Sequence, residues 1–360
     1  MNKIEIAGKR VVVGLSGGVD SSAAAALLQE NGMDVVGVML RLWSEPGKEN
    51  ICCDDDGLRS ARQIAGKLGI PFQAVNAEKE FFEHVVQPFI NGYTNGITPN
   101  PCLWCNRFIR WGFLLNQLKL FEADYVATGH YARLVRSESG NVQLLKGKDP
   151  GKDQSYVLHG LTQTDLQKTL LPLGDLTKTE VRQLAADYEL PAAQRPDSQD
   201  LCFVAGGDYR EFLENQNPGA IKPGPIQNAD GKLLGQHSGL AYFTIGQRKG
   251  LGIFPSEPYY VLEKIPDTNT LVVGPKEKLG KKYLTAENMN WISGKAPERP
   301  FRAEVKIRYQ SSFEPARIQP GENQSVLIQF DKPLPDITPG QAAVIYQGDI
   351  CLGGGTIGVE

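Results

Sequence analysis

Over the first two hundred residues, short apolar runs alternate with stretches whose apolar residues recur at helical spacing. Residues 10–15 (RVVVGL) form a continuous β-branched run that stops at Ser16-Gly17-Gly18. Residues 21–31 follow as an Ala/Leu-rich helix closed by Gly32, and 34–42 as a second buried strand. The pattern then predicts an amphipathic helix over 56–68, a short strand over 71–75, helices over 78–90 and 107–120, and a fourth strand over 125–128. Buried strands separated by helices of this length predict a parallel sheet covered on both faces, hence an α/β fold. Near Cys202 the pattern changes. A helical stretch over 209–215 leads into a Gly/Pro-dense segment, 218–252, with a strand-like piece at 241–245. Short strands follow at 259–265, 271–274, 303–309, 325–330 and 342–346, which predicts one or two small β-barrel modules.

With 360 residues, 41% hydrophobic and 22% charged, the chain can bury ample core without disulfide staples. Apolar runs such as 23–28 and 35–40 are far too short to span a bilayer, and the first residues lack a signal-peptide pattern. A cytoplasmic protein without membrane partners is expected, its six cysteines being thiols by default. The net charge of −3 argues weakly against nucleic acid, but its distribution argues otherwise. Residues 97–152 hold eight Lys/Arg against four Asp/Glu, and 276–308 hold nine against four. Basic surface concentrated in these stretches is compatible with RNA.

The strongest chemical signal is Gly14-Leu15-Ser16-Gly17-Gly18-Val19-Asp20-Ser21-Ser22, between a strand and a helix. Its glycines let the backbone approach an anion, while loop amides and the helix N-terminus supply donors and positive dipole. Asp20 suits a phosphate site if Mg2+ lies between carboxylate and phosphate. The lysine of a Walker A loop and the GxGxxG of a dinucleotide fold are both absent. The bland alternative is a capped Gly-rich turn. SGGVDSS resembles the signature of the PP-loop ATP pyrophosphatases, which cleave ATP between its α and β phosphates and adenylate an oxygen.

Cys102 and Cys105 stand in TPNPCLWCNR, and Cys202 in DSQDLCF. A zinc site would need a second CxxC or a His pair, so zinc is not expected at this motif. Cys105 is expected just before a helix starting near Arg107, where the dipole and Arg107 and Arg110 would depress its pKa. Two distant cysteines acting together on sulfur fit an ATP-activating domain. Cys52 and Cys53 read as incidental, and Cys351 as a packed thiol. Among the histidines, His84, His159 and His237 lack carboxylate or metal spacing, whereas His130 sits in TGHYAR. Arg248-Lys249, in a glycine-bounded loop, suit a phosphate backbone better than a purely solvated pair.

In order along the chain, GLSGGVDSS, TPNPCLWCNR, TGHYAR, KDQSY, DSQDLCF and TIGQRKGLG resemble the bacterial tRNA-specific 2-thiouridylases. That resemblance implies a PP-loop domain over 1–208, a small central domain over 209–283 and a C-terminal β-barrel over 284–360. It implies ATP-dependent replacement of the 2-oxygen of the wobble uridine by sulfur, with tRNA and a cysteine desulfurase or sulfur relay protein as partners. By the same resemblance, Cys202 carries a persulfide and Cys105 is the partner nucleophile, the two closing a disulfide after delivery. Gly14 to Ser21 match the ATP loop, and Leu40 and Gly129 the adenosine contacts. Asn100, Pro101 and Cys102 match the segment touching the target base. His130, Lys152, Asp153, Gln154, Arg308, Tyr309 and Gln341 match tRNA-contacting positions. Many members have Asp where this chain has Cys102, which leaves the general acid/base unassigned. It also leaves three thiolates, Cys102, Cys105 and Cys202, that could hold an iron–sulfur cluster with one open iron. Two other readings stay open: another PP-loop enzyme adenylating a small molecule or a different tRNA base, and a nucleotide-binding sensor.

Overall fold

The computed structural model describes residues 6–45, 55–138, 140–196, 201–204, 208–219, 221–254 and 257–359. Cys52 and Cys53 lie outside them, as do residues 197–200 just before Leu201-Cys202.

The β-branched runs form parallel strands because both of their faces are covered. In β1 (Arg10–Gly14), Val11, Val12 and Val13 are fully buried. This strand pairs with β2 (Asp34–Arg41) on one side and β4 (Tyr125–Ala127) on the other. With β3 (Phe72–Asn76) and β7 (Thr169–Leu170) the order is β3-β2-β1-β4-β7. The chain moves outward from β1 to β3, then returns to the other side of β1. The gap between the C-terminal ends of β1 and β4 is therefore a topological switch point, where open α/β sheets bind ligands. Helix Val19–Glu30 carries mostly Ala and Leu toward the interior, so small side chains let it sit close to the sheet.

Between β4 and β7 a hairpin, β5 (Ala132–Arg136) and β6 (Val142–Lys146), leaves the parallel sheet. It adds to a barrel built by the last third of the chain: β6 pairs with β17 (Ile350–Ile357) through Leu145↔Ile350 and Leu144↔Cys351. The barrel strands are β12 (Lys281–Trp291), β13 (Phe301–Lys306), β14 (Glu314–Pro320), β15 (Val326–Leu334), β16 (Ala342–Gln347) and β17. Pairing of β12 with β17 closes it. Along β15 the alternation Val326, Ile328, Phe330 inward and Leu327, Gln329, Asp331 outward is the period of a half-buried strand. A smaller sheet of β8 (Gly224–Asn228), β9 (Leu233–His237), β10 (Tyr259–Ile265) and β11 (Thr270–Pro275) has the order β10-β11-β8-β9. Among the described residues, no helix is long and apolar enough to cross a membrane.

Three sequence expectations are corrected. Residues 240–242 form a 3-10 turn instead of a strand at 241–245, anchored by Tyr242 N–H donating to the Gly239 carbonyl. The strand expected over 303–309 is Phe301–Lys306, and Arg308-Tyr309 lie in a turn closed by Ser311, whose Oγ accepts from Arg308 N. The helix expected from Arg107 begins at Pro101 and passes through a π-helical stretch, Cys105–Trp111. Asn100 starts it as N-cap, its Oδ1 accepting from Cys102 N at 3.2 Å, with Pro101 at the first position, where its missing N–H costs nothing.

Candidate active site

The phosphate loop is held from three sides. Gly17 has φ +76°, and a Cβ there would stand 2.5 Å from the Gly57 carbonyl oxygen. Its own carbonyl accepts from Ser60 Oγ at 2.9 Å and from Arg195 Nη1 at 3.1 Å. Gly129, just beyond β4, lies so close that a Cβ would be 2.6 Å from the Asp20 carbonyl carbon and 2.8 Å from Ser21 N. Ser21 Oγ accepts from Ser16 N and donates to the Gly18 carbonyl, both at 3.1 Å. Gly18 is the N-cap of Val19–Glu30 without any side-chain cap. The first amides of that helix thus face the switch point with no side-chain acceptor competing at the cap, an arrangement suited to phosphate oxygens. Ser16 is exposed at the loop's tip, Leu15 and Val19 are buried beneath it, and Gly14 ends β1. Leu40 stands near the C-terminal end of β2.

Asp20 is already engaged. Lys178 Nζ lies 2.7 and 2.9 Å from its two carboxylate oxygens, and Tyr131 Oη donates to Oδ1 at 2.7 Å. Only 12% of the Lys178 side chain and 34% of Asp20 is exposed. A cation and an ammonium would compete for this carboxylate, so Mg2+ does not fit here while Lys178 stays in place. The sequence reading missed Lys178 and Tyr131 as partners. A capping box, Thr177 with Glu180, marks the start of helix Lys178–Asp187, but nothing in the sequence joins it to a loop 158 residues away.

Cys102 is exposed, Cys105 buried and Cys202 half-buried. Cys105 belongs to an apolar cluster with Phe81, Phe89, Phe203 and Val204, and Leu201 and Cys202 pack against that same cluster. The rings of Phe81 and Phe89 meet Phe203 at 5.8 and 5.2 Å. Aromatic contacts thereby seat the segment after Cys202 on the helical residues 78–94, in the same apolar cluster as the helical run that contains Cys105. Since that run starts at Pro101, Cys102 occupies the first turn and Cys105 lies a turn further in, against expectation. The helix start expected beside Cys105 therefore lies beside Cys102 instead. Among the described residues, no group of three Cys, His, Asp or Glu is arranged to hold a metal ion, so the three-cysteine cluster has no geometric support. Cys351 is fully buried, and loss of solvation pushes its thiol up to about 12, as befits a packed thiol.

Most positions matched to RNA also hold the site together. Gln341 Nε2 donates to the Thr98 carbonyl at 2.8 Å, and Thr98 N donates to the Pro339 carbonyl. The barrel thus clasps the chain two residues before Asn100. The Arg308 guanidinium donates to Thr338 Oγ1 and to the Ile245 carbonyl, tying the barrel to a turn between β9 and β10. Burial above all, then Asp153 and the nearby Cys102, raises the pKa of the Tyr309 phenol. Asp153 is buried and accepts from Gly147 N, Ser155 N and Ser155 Oγ. Gln154 Oε1 accepts from Tyr131 N, and Lys152 closes a turn onto Asp149. His130 is buried against Trp111, its Nδ1 2.8 Å from Thr128 Oγ1; burial and Arg110 push it down to about 3, so it is neutral.

Comparison with known proteins matches these three regions. A family model described as "tRNA methyl transferase HUP domain" matches residues 9–206. Others described as "tRNA methyl transferase PRC-barrel domain" and "Aminomethyltransferase beta-barrel domain" match 210–275 and 281–357. The tRNA-specific 2-thiouridylase MnmA of Natranaerobius thermophilus is 46% identical over 356 residues, 97% of each chain. Its namesake in Moorella thermoacetica is 47% identical over 352 residues, 96% of this chain and 98% of the relative. That of Chloroflexus aggregans is 45% identical over 350 residues, with the same coverage. Similarity of this degree along nearly the whole length places the chain in the tRNA-specific 2-thiouridylase family.

Proposed function

We propose that the protein replaces the 2-oxygen of the tRNA wobble uridine by sulfur, at the expense of ATP. The observation that carries this reading is the packing of Cys105 and the Cys202 segment on one apolar cluster, in a fold whose switch point holds a phosphate loop.

ATP would be held by the amides of Gly17 to Ser21, with Leu40 and Gly129 beside the adenosine. A base must leave its stack to be modified, and the exposed Cys102 near Tyr309 offers it an opening. The uridine 2-oxygen attacks the α phosphate; the bond to the β phosphate breaks and pyrophosphate leaves. Loop amides stabilise the charge that develops on the phosphates. The terminal sulfur of a Cys202 persulfide attacks C2, and AMP departs with the oxygen. Cys105, as thiolate, then attacks Cys202 Sγ, forming a disulfide and leaving sulfur on the base. A cysteine desulfurase or relay protein supplies the persulfide, and a dithiol reductant resets the pair, in the cytoplasm where tRNA is found.

ATP–pyrophosphate exchange provides the test. We expect exchange that depends on tRNA and on no amino acid. Cys202→Ser and Cys105→Ser should each abolish thiolation, with exchange surviving in at least one. Exchange driven by a small molecule without tRNA would contradict the reading. Full thiolation by Cys105→Ser would move the nucleophile to Cys102.

A further inference from the structure

Two lysines outside the phosphate loop converge on one ring. Lys146 ends β6, from the catalytic half, and Lys306 ends β13, from the barrel. Lys146 Nζ lies 3.6 Å from the centroid of Phe313 and 5.1 Å from that of Tyr346. Lys306 Nζ lies 5.0 Å from the same Phe313 centroid and 5.7 Å from Tyr309. Cation–π contact of this kind stabilises each ammonium only modestly.

Their burial is what demands an explanation. Lys306 is only 9% exposed, and among the described residues no carboxylate lies within ion-pair distance of it. The neighbouring Asp153 carboxylate is taken up by Gly147 N, Ser155 N and Ser155 Oγ. Lys146 has Glu304 at 4.0 Å, the limit of an ion pair. Burial and the charge of Lys146 both lower the pKa of Lys306, while Asp153 raises it. Bringing two ammoniums together and removing them from water is costly unless an anion completes the group. The place is also telling. Tyr309, the second ring over Lys306, lies close enough to Cys102 to feel its charge, and the barrel's clasp on Thr98 leads directly into the Asn100–Cys102 turn.

We propose that Lys146 and Lys306, which both approach the Phe313 ring, form a subsite for a backbone phosphate of RNA next to the nucleotide that enters the Cys102 opening. The proposal rests on the reading of tRNA as substrate. Lysines act here as point charges, which bind a phosphate from several directions and carry no sequence information. Because one lysine comes from the hairpin and one from the barrel, a phosphate held by both would fix the RNA across the junction of the two halves.

The test uses the full-length protein and a tRNA anticodon stem-loop, titrated with salt. Lys306→Gln and Lys306→Met should each weaken binding about tenfold, the loss of one charge-assisted contact. The slope of log K against log salt should fall by roughly 0.7, as for one phosphate on single-stranded RNA. In parallel, each phosphate flanking the wobble uridine is replaced by a neutral methylphosphonate. One of these replacements should weaken wild-type binding by a similar factor and have no further effect on Lys306→Gln. Additive losses, or an unchanged salt slope, would overturn the proposal in favour of a merely structural lysine. Inorganic phosphate and pyrophosphate form the remaining arm. If their binding is lost in Lys306→Gln while RNA binding is unchanged, the subsite takes free phosphate and the RNA assignment fails. Wild-type protein that shows no RNA binding at all would instead contradict the tRNA reading itself.

Discussion

Buried histidines give the molecule an acid sensitivity that can be traced to single residues. His130 is pushed down to about 3 and His159 to about 4, in both cases chiefly by burial; His237 is lowered as well. Each is neutral in the folded state, whereas the unfolded chain protonates it below about pH 6.5. Between that pH and the folded values the unfolded state binds more protons, so stability falls as pH falls. Each fully buried histidine contributes up to about 1.4 kcal/mol per pH unit in this window. Urea unfolding from pH 7 to pH 4.5 should show the loss, and His159→Gln should reduce its slope. Also at this scale, Lys178→Gln would leave Asp20 without its ammonium. With Asp20 about one-third exposed, the expected cost is roughly 1–2 kcal/mol in denaturant unfolding, together with a changed KM for ATP.

Among the elements, the helical run from Pro101 decides which cysteine faces solvent. Its start is set by Asn100, so Asn100→Ala should cost about 1 kcal/mol and slow thiolation more than pyrophosphate exchange, measured side by side on one tRNA. The sequence carried that signal, since Asn followed by Pro is a helix-start pattern, but the TPNP run reads equally well as an extended approach. Strands β1 and β2 were legible because continuous Val-rich runs leave few alternatives, whereas the two-residue β7 was not anticipated, being too short to leave a pattern. Ala241–Phe243 was less so. An apolar run of that length is also compatible with a turn packed into a core, and the glycine at 239 tipped it that way. The phosphate loop could be read because its chemistry is local. Its locks, Ser60, Arg195, Tyr131 and Lys178, could not, because each comes from a distant element.

At the scale of the whole molecule, the barrel holds parts of the site in place and does more than add RNA-binding surface. Hairpin β5–β6 joins it to the catalytic half, Gln341 clasps Thr98, and Arg308 reaches the turn at Ile245 between β9 and β10. Gln341→Ala should therefore lower thiolation severalfold while leaving ATP binding intact, as read by nucleotide titration, because the clasp acts on the Asn100–Cys102 turn and not on the phosphate loop. Contacts of this span are invisible to periodicity, which sees only neighbours along the chain. Lys146 and Lys306 lie within the basic stretches 97–152 and 276–308, and their burial sets them apart from the exposed lysines there. The central claim is sulfur transfer to a tRNA uridine. It is tested most directly by mass spectrometry of anticodon nucleosides after incubation with ATP, a persulfide donor and tRNA. We predict 2-thiouridine at the wobble position with wild-type protein and none with Cys202→Ser; a methylated uridine, or thiolation undiminished in Cys202→Ser, would contradict the account.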